Sequence, residues 1–306
     1  MQVKEPKRKR NLQLSPTAPL PVNNTSTDTS KIQCNFDGYS IVVNDKEHMK
    51  KLYMNGFFGK MNLSKNFHSF DPHKGDKIIR KRQFDLRKKI ASRIKSKSQF
   101  KIIVVPDSDS ENDDYFSNLK AVYEIDNVCI SEKLFLGLEE AFFLLNGLNC
   151  IDIFADKGLL TTDEAWTLFS STDQYFVQNY VVYHYFRSKQ WVVKPGLKFG
   201  GDFLLYKDGP SVYHASYVVI IDVVNPENLE RRTSLCRRKM SVIEIVGLNR
   251  LCENCGKELI ICQLMWPENI TGRKYTDIQD ISVNETLARR WIPSKERDNG
   301  KKEKTQ

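Results

Sequence analysis

The sequence of 306 residues contains no apolar run that approaches the roughly 20 residues of a membrane-spanning helix. Its amino terminus is polar and basic, without the apolar segment that a secretory signal carries. The seven cysteines are an odd number, which does not suit a framework of paired disulfides. These absences predict an intracellular protein with reduced thiols.

The sequence also lacks the patterns that hold metals and nucleotides. Cys252 and Cys255 have the spacing of zinc ligands, but no second pair completes a structural site. Asp202 and Asp222 do not belong to an acidic cluster, and the glycines of "KFGGDF" lack the spacing of a dinucleotide-binding loop. We therefore expect no metal and no cofactor, and a metal-dependent nuclease is poorly supported.

Positive charge is in excess. The chain carries 47 Lys and Arg against 38 Asp and Glu, for a net charge of +9. This excess favours a polyanionic partner, although solubility and a basic tail explain it equally well. The cluster "KEPKRKR" near the start is of the kind that nuclear import receptors bind, which predicts a nuclear protein. The alternative for the cluster is a solvated tail.

Composition divides the chain into segments. A Pro-, Ser- and Thr-rich stretch follows the basic cluster, and opposed basic and acidic blocks occupy the middle of the first half. The blocks indicate a linker that catalysis does not need. We predict a disordered basic tail over 1–35, an ordered segment over 36–70, a charged linker over 71–118, the helical part of an N-terminal α/β domain over 119–174, a catalytic domain over 175–297 and a disordered tail over 298–306.

Hydrophobic periodicity predicts helices first and strands later. Asn44 or Asp45 is expected to cap a helix, and Thr162 or Asp163 a second one. Further helices are predicted in "EKLFLGLEEAFFLLNGL", "DQYFVQNYVVYHYFRSKQ" and "RRKMSVIEIVGLNRL", and strands in "WVVKPG", "DFLLY", "HASYVVIIDVV" and "ELIICQLMW". This order favours an α/β or α+β fold.

One predicted hairpin, "YKDGPSVYHASY", has a side chain capable of proton transfer on each side of its turn. Tyr206 ends one strand and His214 opens the next, with Gly209 between them. RNA supplies its own nucleophile, the 2′-hydroxyl, so cleavage needs a base, an acid and a cation near the phosphate. A tyrosine is a poor base unless a cation such as Lys207 lowers its pKa. Both side chains could equally be packing residues.

Longer motifs resemble one family. The motifs "GLKFGGDFLLY", "GPSVYHASY" and "NRLCENCGKELIICQL" are similar to those of catalytic subunits of the tRNA-splicing endonuclease. The resemblance covers about 40–70 and 130–297. It implies a small N-terminal α/β domain followed by a catalytic domain of restriction-endonuclease-like fold with a mixed sheet.

The same resemblance implies a catalytic triad. Tyr206 would be the base toward the 2′-hydroxyl, His214 the acid toward the 5′-oxygen, and Lys257 the stabiliser of the transition state. Cleavage would need no metal and would leave a 2′,3′-cyclic phosphate and a 5′-hydroxyl. A non-catalytic subunit of the family is expected to lack part of this triad.

The resemblance also implies partners. The substrate would be precursor tRNA, and the assembly a heterotetramer with a second catalytic subunit and two structural subunits. The block "LYMNGFFGK" is similar to the subunit that cuts the 5′ splice site. The alternatives are the subunit that cuts the 3′ splice site and a non-catalytic RNA-binding scaffold of the same complex.

Five further residues are candidate RNA contacts. The resemblance implies that Arg250 and Trp291 sandwich a base at the partner subunit's active site. An indole and a guanidinium suit that role, although Trp291 could instead fill the edge of the domain. Arg187, Lys194 and Lys198 are candidates to guide the RNA backbone, or else ordinary solvated residues.

Overall fold

The computed structural model describes residues 6–9, 20, 31–62, 132–156 and 158–289. The predicted linker over 71–118 and the tail over 298–306 lie outside the described residues. Within the described ranges, no helix combines the length and apolarity needed to cross a membrane. The strands are β1 Ile32–Phe36, β2 Ile41–Val43, β3 Lys60–Met61, β4 Leu134–Leu136, β5 Ile151–Ala155, β6 Gly158–Leu159, β7 Val192–Pro195, β8 Phe203–Tyr206, β9 Tyr217–Val224, β10 Glu258–Met265 and β11 Ser282–Ala288. The helices are α1 Lys46–Met54, α2 Leu138–Phe142, α3 Thr162–Thr172, α4 Phe176–Ser188 and α5 Val242–Asn254.

The prediction of a disordered tail over 1–35 is corrected at its end, because strand β1 begins at Ile32. β1 pairs antiparallel with β2 and parallel with β5, and Ile32 faces Ile151 in the parallel register. Ile32 and Cys34 alternate inward and are buried. Their partner strand lies far along the chain, so the local Ser- and Thr-rich composition did not indicate it.

Helix α1 follows its predicted pattern. The Asp45 carboxylate accepts a hydrogen bond of 2.9 Å from the backbone N–H of His48, which caps the first turn. Met49, Leu52 and Tyr53 form the buried face. The prediction of an Asp45 cap and of this apolar face is confirmed.

The segment "EKLFLGLEEAFFLLNGL" does not form one helix as predicted. It starts with β4, which pairs antiparallel with β3, and the helix begins only after Gly137. α2 then continues as a wider turn over Phe143–Gly147. Leu134 and Leu136 are buried on alternate positions, a strand period that the mostly apolar run concealed.

An aromatic cluster joins α2, α3 and α4. The Phe142 ring lies edge-on to Trp166 and Tyr180, each with centroids 4.9 Å apart, and also contacts Phe176. Such pairs add to the hydrophobic burial of the rings. Thr161 caps α3 by accepting from the N–H of Glu164, one residue before the predicted Thr162 or Asp163.

The second sheet has the strand order β11-β10-β9-β8-β7. β9 and β10 are parallel, and the other neighbours are antiparallel. Every residue of β9 is buried, which suits a central strand. α5 makes the crossover between the parallel pair. The predicted α/β class with a mixed sheet is confirmed, and the four predicted strands are present, whereas β11 was missed because its sequence is polar.

Candidate active site

The hairpin between β8 and β9 has Tyr206 on one side of its turn and His214 on the other. Tyr206 ends β8, and the N–H of Ser216 donates to the carbonyl of Leu205 over 2.9 Å. The N–H of Tyr213 donates to the carbonyl of Gly209, which closes the turn. His214 is exposed just before β9 begins.

Gly209 is required at this turn for two reasons. Its φ of +105° is rarely adopted by L side chains. A Cβ at this position would also lie 2.2 Å from the ring of Phe57, a residue just beyond α1. The hairpin thus packs closely against the N-terminal part of the chain.

Parallel pairing of β9 and β10 brings Lys257 to His214. Glu258 faces Tyr217 in the register, and its N–H donates to the carbonyl of Ser216 over 3.0 Å. Both strands therefore begin at the same edge of the sheet. His214 precedes one strand and Lys257 precedes the other, and both line a cavity of about 250 Å³.

Lys257 is held by its own loop. Its ammonium lies 4.2 Å from the centroid of the Phe199 ring and donates to the carbonyl of Cys255 over 3.1 Å. Gly256 takes a positive φ of +67° in this loop. The ammonium stays partly exposed, where a compact positive charge suits a phosphate.

Tyr206 is not among the residues that line this cavity. It is half-buried and packs against a core that includes Leu204 and Ala215, and Ala215 also lines the cavity. Burial raises the pKa of Tyr206 above its ordinary value. The suggestion that Lys207 lowers this pKa is wrong, because the Lys207 ammonium lies over the ring of Tyr213, 5.7 Å from its centroid.

Arg187 has a structural role. The guanidinium is buried, donates to the hydroxyl of Tyr183 over 2.9 Å and to the carbonyl of Gly56 over 2.8 Å, and stacks 4.2 Å above the Phe58 ring. With these partners it fixes the turn after α1. The prediction that Arg187 guides the RNA backbone is corrected accordingly.

The prediction that Lys194 guides the RNA backbone is also corrected. Its ammonium donates to the carbonyl of Gly59 over 2.8 Å and pairs with the Glu140 carboxylate at 3.3 Å. The two side chains are only 14% and 5% exposed. Burial lowers the pKa of Lys194, an effect that the Glu140 carboxylate opposes. The charge is therefore used inside the protein.

Replacing Lys194 with methionine should lower the free energy of unfolding by about 1–3 kcal/mol, because a buried carboxylate loses its cation. Among the described residues, Glu140 would keep hydrogen bonds from the backbone N–H groups of Gly59 and Gly137. Urea unfolding measures the change, and Lys198→Met, an exposed lysine close in sequence, is the control. The double variant with Glu140→Gln should recover part of the loss. Equal free energies of unfolding for Lys194→Met and Lys198→Met would contradict this account.

Two of the three remaining candidate RNA contacts lie within the described residues. Lys198 is exposed in the short turn Leu197–Phe199, and Arg250 is exposed near the end of α5. Trp291 lies outside the described residues. The roles of Lys198, Arg250 and Trp291 in RNA binding stay predictions.

The cysteine pair separates in the fold. Cys252 is buried in α5, where burial raises its pKa to about 11, and Cys255 is exposed at the helix end. Among the described residues, no three His, Cys, Asp or Glu side chains gather in a group that could hold a metal ion.

Comparison with known proteins identifies the class. Residues 176–271, which include Tyr206, His214 and Lys257, match the family model described as the tRNA intron endonuclease, catalytic C-terminal domain. Residues 176–271 are thus similar to the catalytic domain of this family, and the resemblance predicted from the sequence is confirmed for this part of the chain.

The names of individual similar proteins are more specific than the description of the family. The chain is 40% identical over 190 residues to tRNA-splicing endonuclease subunit Sen2 of Gallus gallus, covering 61% of this chain and 40% of that protein. It is 43% identical over 171 residues to Sen2 of Rattus norvegicus, covering 55% and 36%. A probable Sen2 of Schizosaccharomyces pombe is 28% identical over 333 positions, covering 85% of each chain. The matches thus span less than half of the vertebrate relatives.

Proposed function

We propose that this chain is the catalytic subunit of a tRNA-splicing endonuclease that cleaves precursor tRNA at the 5′ splice site. The observation that carries the proposal is the meeting of His214 and Lys257 at one cavity, within the matched catalytic domain. The 2′-hydroxyl of the RNA attacks the adjacent phosphate and expels the 5′-oxygen. The products are a 2′,3′-cyclic phosphate and a 5′-hydroxyl.

His214 and Lys257 serve the leaving side of this reaction. The exposed imidazole donates a proton to the departing 5′-oxygen, a task that suits a histidine near neutral pH. The Lys257 ammonium balances charge that gathers on the phosphate oxygens. Neither step requires a metal, because the nucleophile belongs to the substrate.

Tyr206 is assigned as the base toward the 2′-hydroxyl. Only the phenolate accepts a proton, and burial raises the pKa of Tyr206, so the phenolate is a minor form at neutral pH. The assignment therefore requires a cation beside Tyr206 in the assembled complex. One competing proposal is a non-catalytic RNA-binding scaffold of the same complex.

The partners follow from the same proposal. We expect a second catalytic subunit and two structural subunits, and a nuclear location for the complex. The basic cluster near residue 8 is the proposed import signal. Residues 7 and 9 make backbone hydrogen bonds to the hairpin, so an import receptor would first have to release them.

Cleavage in excess chelator tests the proposal. With the reconstituted complex and a precursor tRNA folded before EDTA is added, we expect 5′-site cleavage to continue and to leave a 2′,3′-cyclic phosphate. Mapping the cut separates the 5′-site subunit from a 3′-site subunit, and a probe of RNA structure confirms that the substrate stays folded. Loss of cleavage that magnesium restores on folded RNA would overturn the metal-independent reaction.

A further inference from the structure

A short basic segment, residues 6–9, lies against the active-site hairpin; we call it the N-terminal strap. The N–H of Lys9 donates to the carbonyl of Val212 over 2.8 Å, and the N–H of His214 donates to the carbonyl of Lys7 over 3.1 Å. Arg8 and Tyr213 form an antiparallel bridge. The strap therefore pairs with the loop that leads into β9.

A side-chain contact also anchors the strap. The Lys9 ammonium donates to the carbonyl of Pro210 over 2.5 Å, at the turn of the hairpin. Lys7 and Arg8 remain exposed. The same segment that the sequence assigned to a disordered tail is thus tied to the turn at one end and to His214 at the other.

The strap forms one wall of the cavity that His214 and Lys257 line. Pro6 and Lys7 belong to that lining, and the Lys7 ammonium lies 3.9 Å from where a Cβ on Gly256 would be. Two lysines from opposite ends of the sequence therefore lie at one cavity beside the imidazole. Such a concentration of positive charge suits a phosphate group.

Two of the residues that line the cavity also hold buried polar atoms without partners. The hydroxyl of Ser216 and the Oε2 atom of Glu258 have no hydrogen-bond partner among the described residues. The Oε1 atom of Glu258 is paired with the Arg289 guanidinium at 2.8 Å. Both unpartnered atoms are almost fully buried, so they do not face the cavity, and the charges of Lys7 and Lys257 are what a phosphate there would meet.

We propose that the N-terminal strap is part of the active site, where Lys7 binds a substrate phosphate adjacent to the scissile bond. Its backbone pairing also positions His214, because the Lys7 carbonyl holds the His214 N–H. The proposal rests on the proposed function, since it takes RNA as the ligand.

Substitution of Lys7 tests the binding role. In single-turnover cleavage by the reconstituted complex, Lys7→Ala should raise the half-saturating enzyme concentration at least threefold, with little change in the maximal rate. Removal of one phosphate contact should reduce the slope of log K against log salt by about 0.7–0.9. Lys7→Arg should restore both values. Lys46→Ala, which removes an exposed lysine from α1, is the matched control and should change neither.

Substitution of Lys9 tests the positioning role. Lys9→Pro removes the N–H that donates to Val212, whereas Lys9→Ala removes only the side-chain contact with Pro210. We expect the proline variant to lower the maximal rate at least fivefold below the alanine variant. Urea unfolding of both variants shows whether the fold itself has changed.

Three outcomes would overturn the proposal. Faster cleavage by Lys7→Ala or Lys9→Pro would mean that the strap covers the cavity and inhibits the enzyme. A Lys7→Ala variant that behaves like Lys46→Ala would show that Lys7 contacts no phosphate. Equal maximal rates for the two Lys9 variants would remove the positioning role. Failure of the wild-type complex to cleave would count against the proposed function, while the salt slope of RNA binding would still test Lys7.

Discussion

Replacing His214 with alanine is expected to lower the rate of 5′-site cleavage by about 10²–10⁴-fold, the usual contribution of a general acid or base. RNA binding should stay near that of the wild type, because binding is distributed over many phosphate contacts. The side chain is exposed, so its truncation leaves the core intact. Single-turnover cleavage and a binding assay on the reconstituted complex measure the two quantities.

The chain offers a matched control for this variant. A second histidine, His184, lies on α4, where its ring contacts Phe143 and Tyr180 with centroids 5.9 Å away in each case. Desolvation by the protein packed around the ring lowers the pKa of His184. His184→Ala should leave cleavage within about threefold of the wild-type rate. Comparable rates for both variants would remove His214 from the mechanism and favour the scaffold alternative.

Replacing Gly209 with alanine is expected to disturb both the fold and the reaction. A positive φ costs an L residue about 1–2 kcal/mol, and the collision with the Phe57 ring adds about 1–3 kcal/mol. The free energy of unfolding should therefore fall by about 2–5 kcal/mol. Displacement of the hairpin also moves His214, and a shift of about 1 Å can slow catalysis by about 10²-fold.

Gly38 is a control that separates the cost of the positive φ from the collision with Phe57. Its φ is +100°, close to that of Gly209, but nothing lies within 4 Å of an added Cβ. Gly38→Ala should therefore lose only the backbone component, about 1–2 kcal/mol, and should cleave at the wild-type rate. Urea unfolding and single-turnover cleavage measure both variants. Equal effects at the two glycines would show that packing of the hairpin against Phe57 contributes nothing.

Much of the local structure was determined by the sequence itself. Asp45 and the apolar face of α1 follow from capping chemistry and helical period, because both depend on neighbours within a few residues. The β-branched runs of β9 and β10 likewise predict buried strands. The residue types of the triad were also evident, since Tyr206, His214 and Lys257 stand in long local motifs.

Only the tertiary structure decided how distant residues combine. The sequence does not show whether a lysine is paired with a carboxylate in the fold. Lys194 pairs with the buried Glu140 carboxylate, so its charge is neutralised inside the protein. Arg187 is likewise held by Gly56 and aromatic rings. Burial, which raises the pKa of Tyr206, depends on packing of the whole sheet. The joining of the N-terminal strap to His214 depends on hydrogen bonds between segments about 200 residues apart, which no local pattern encodes.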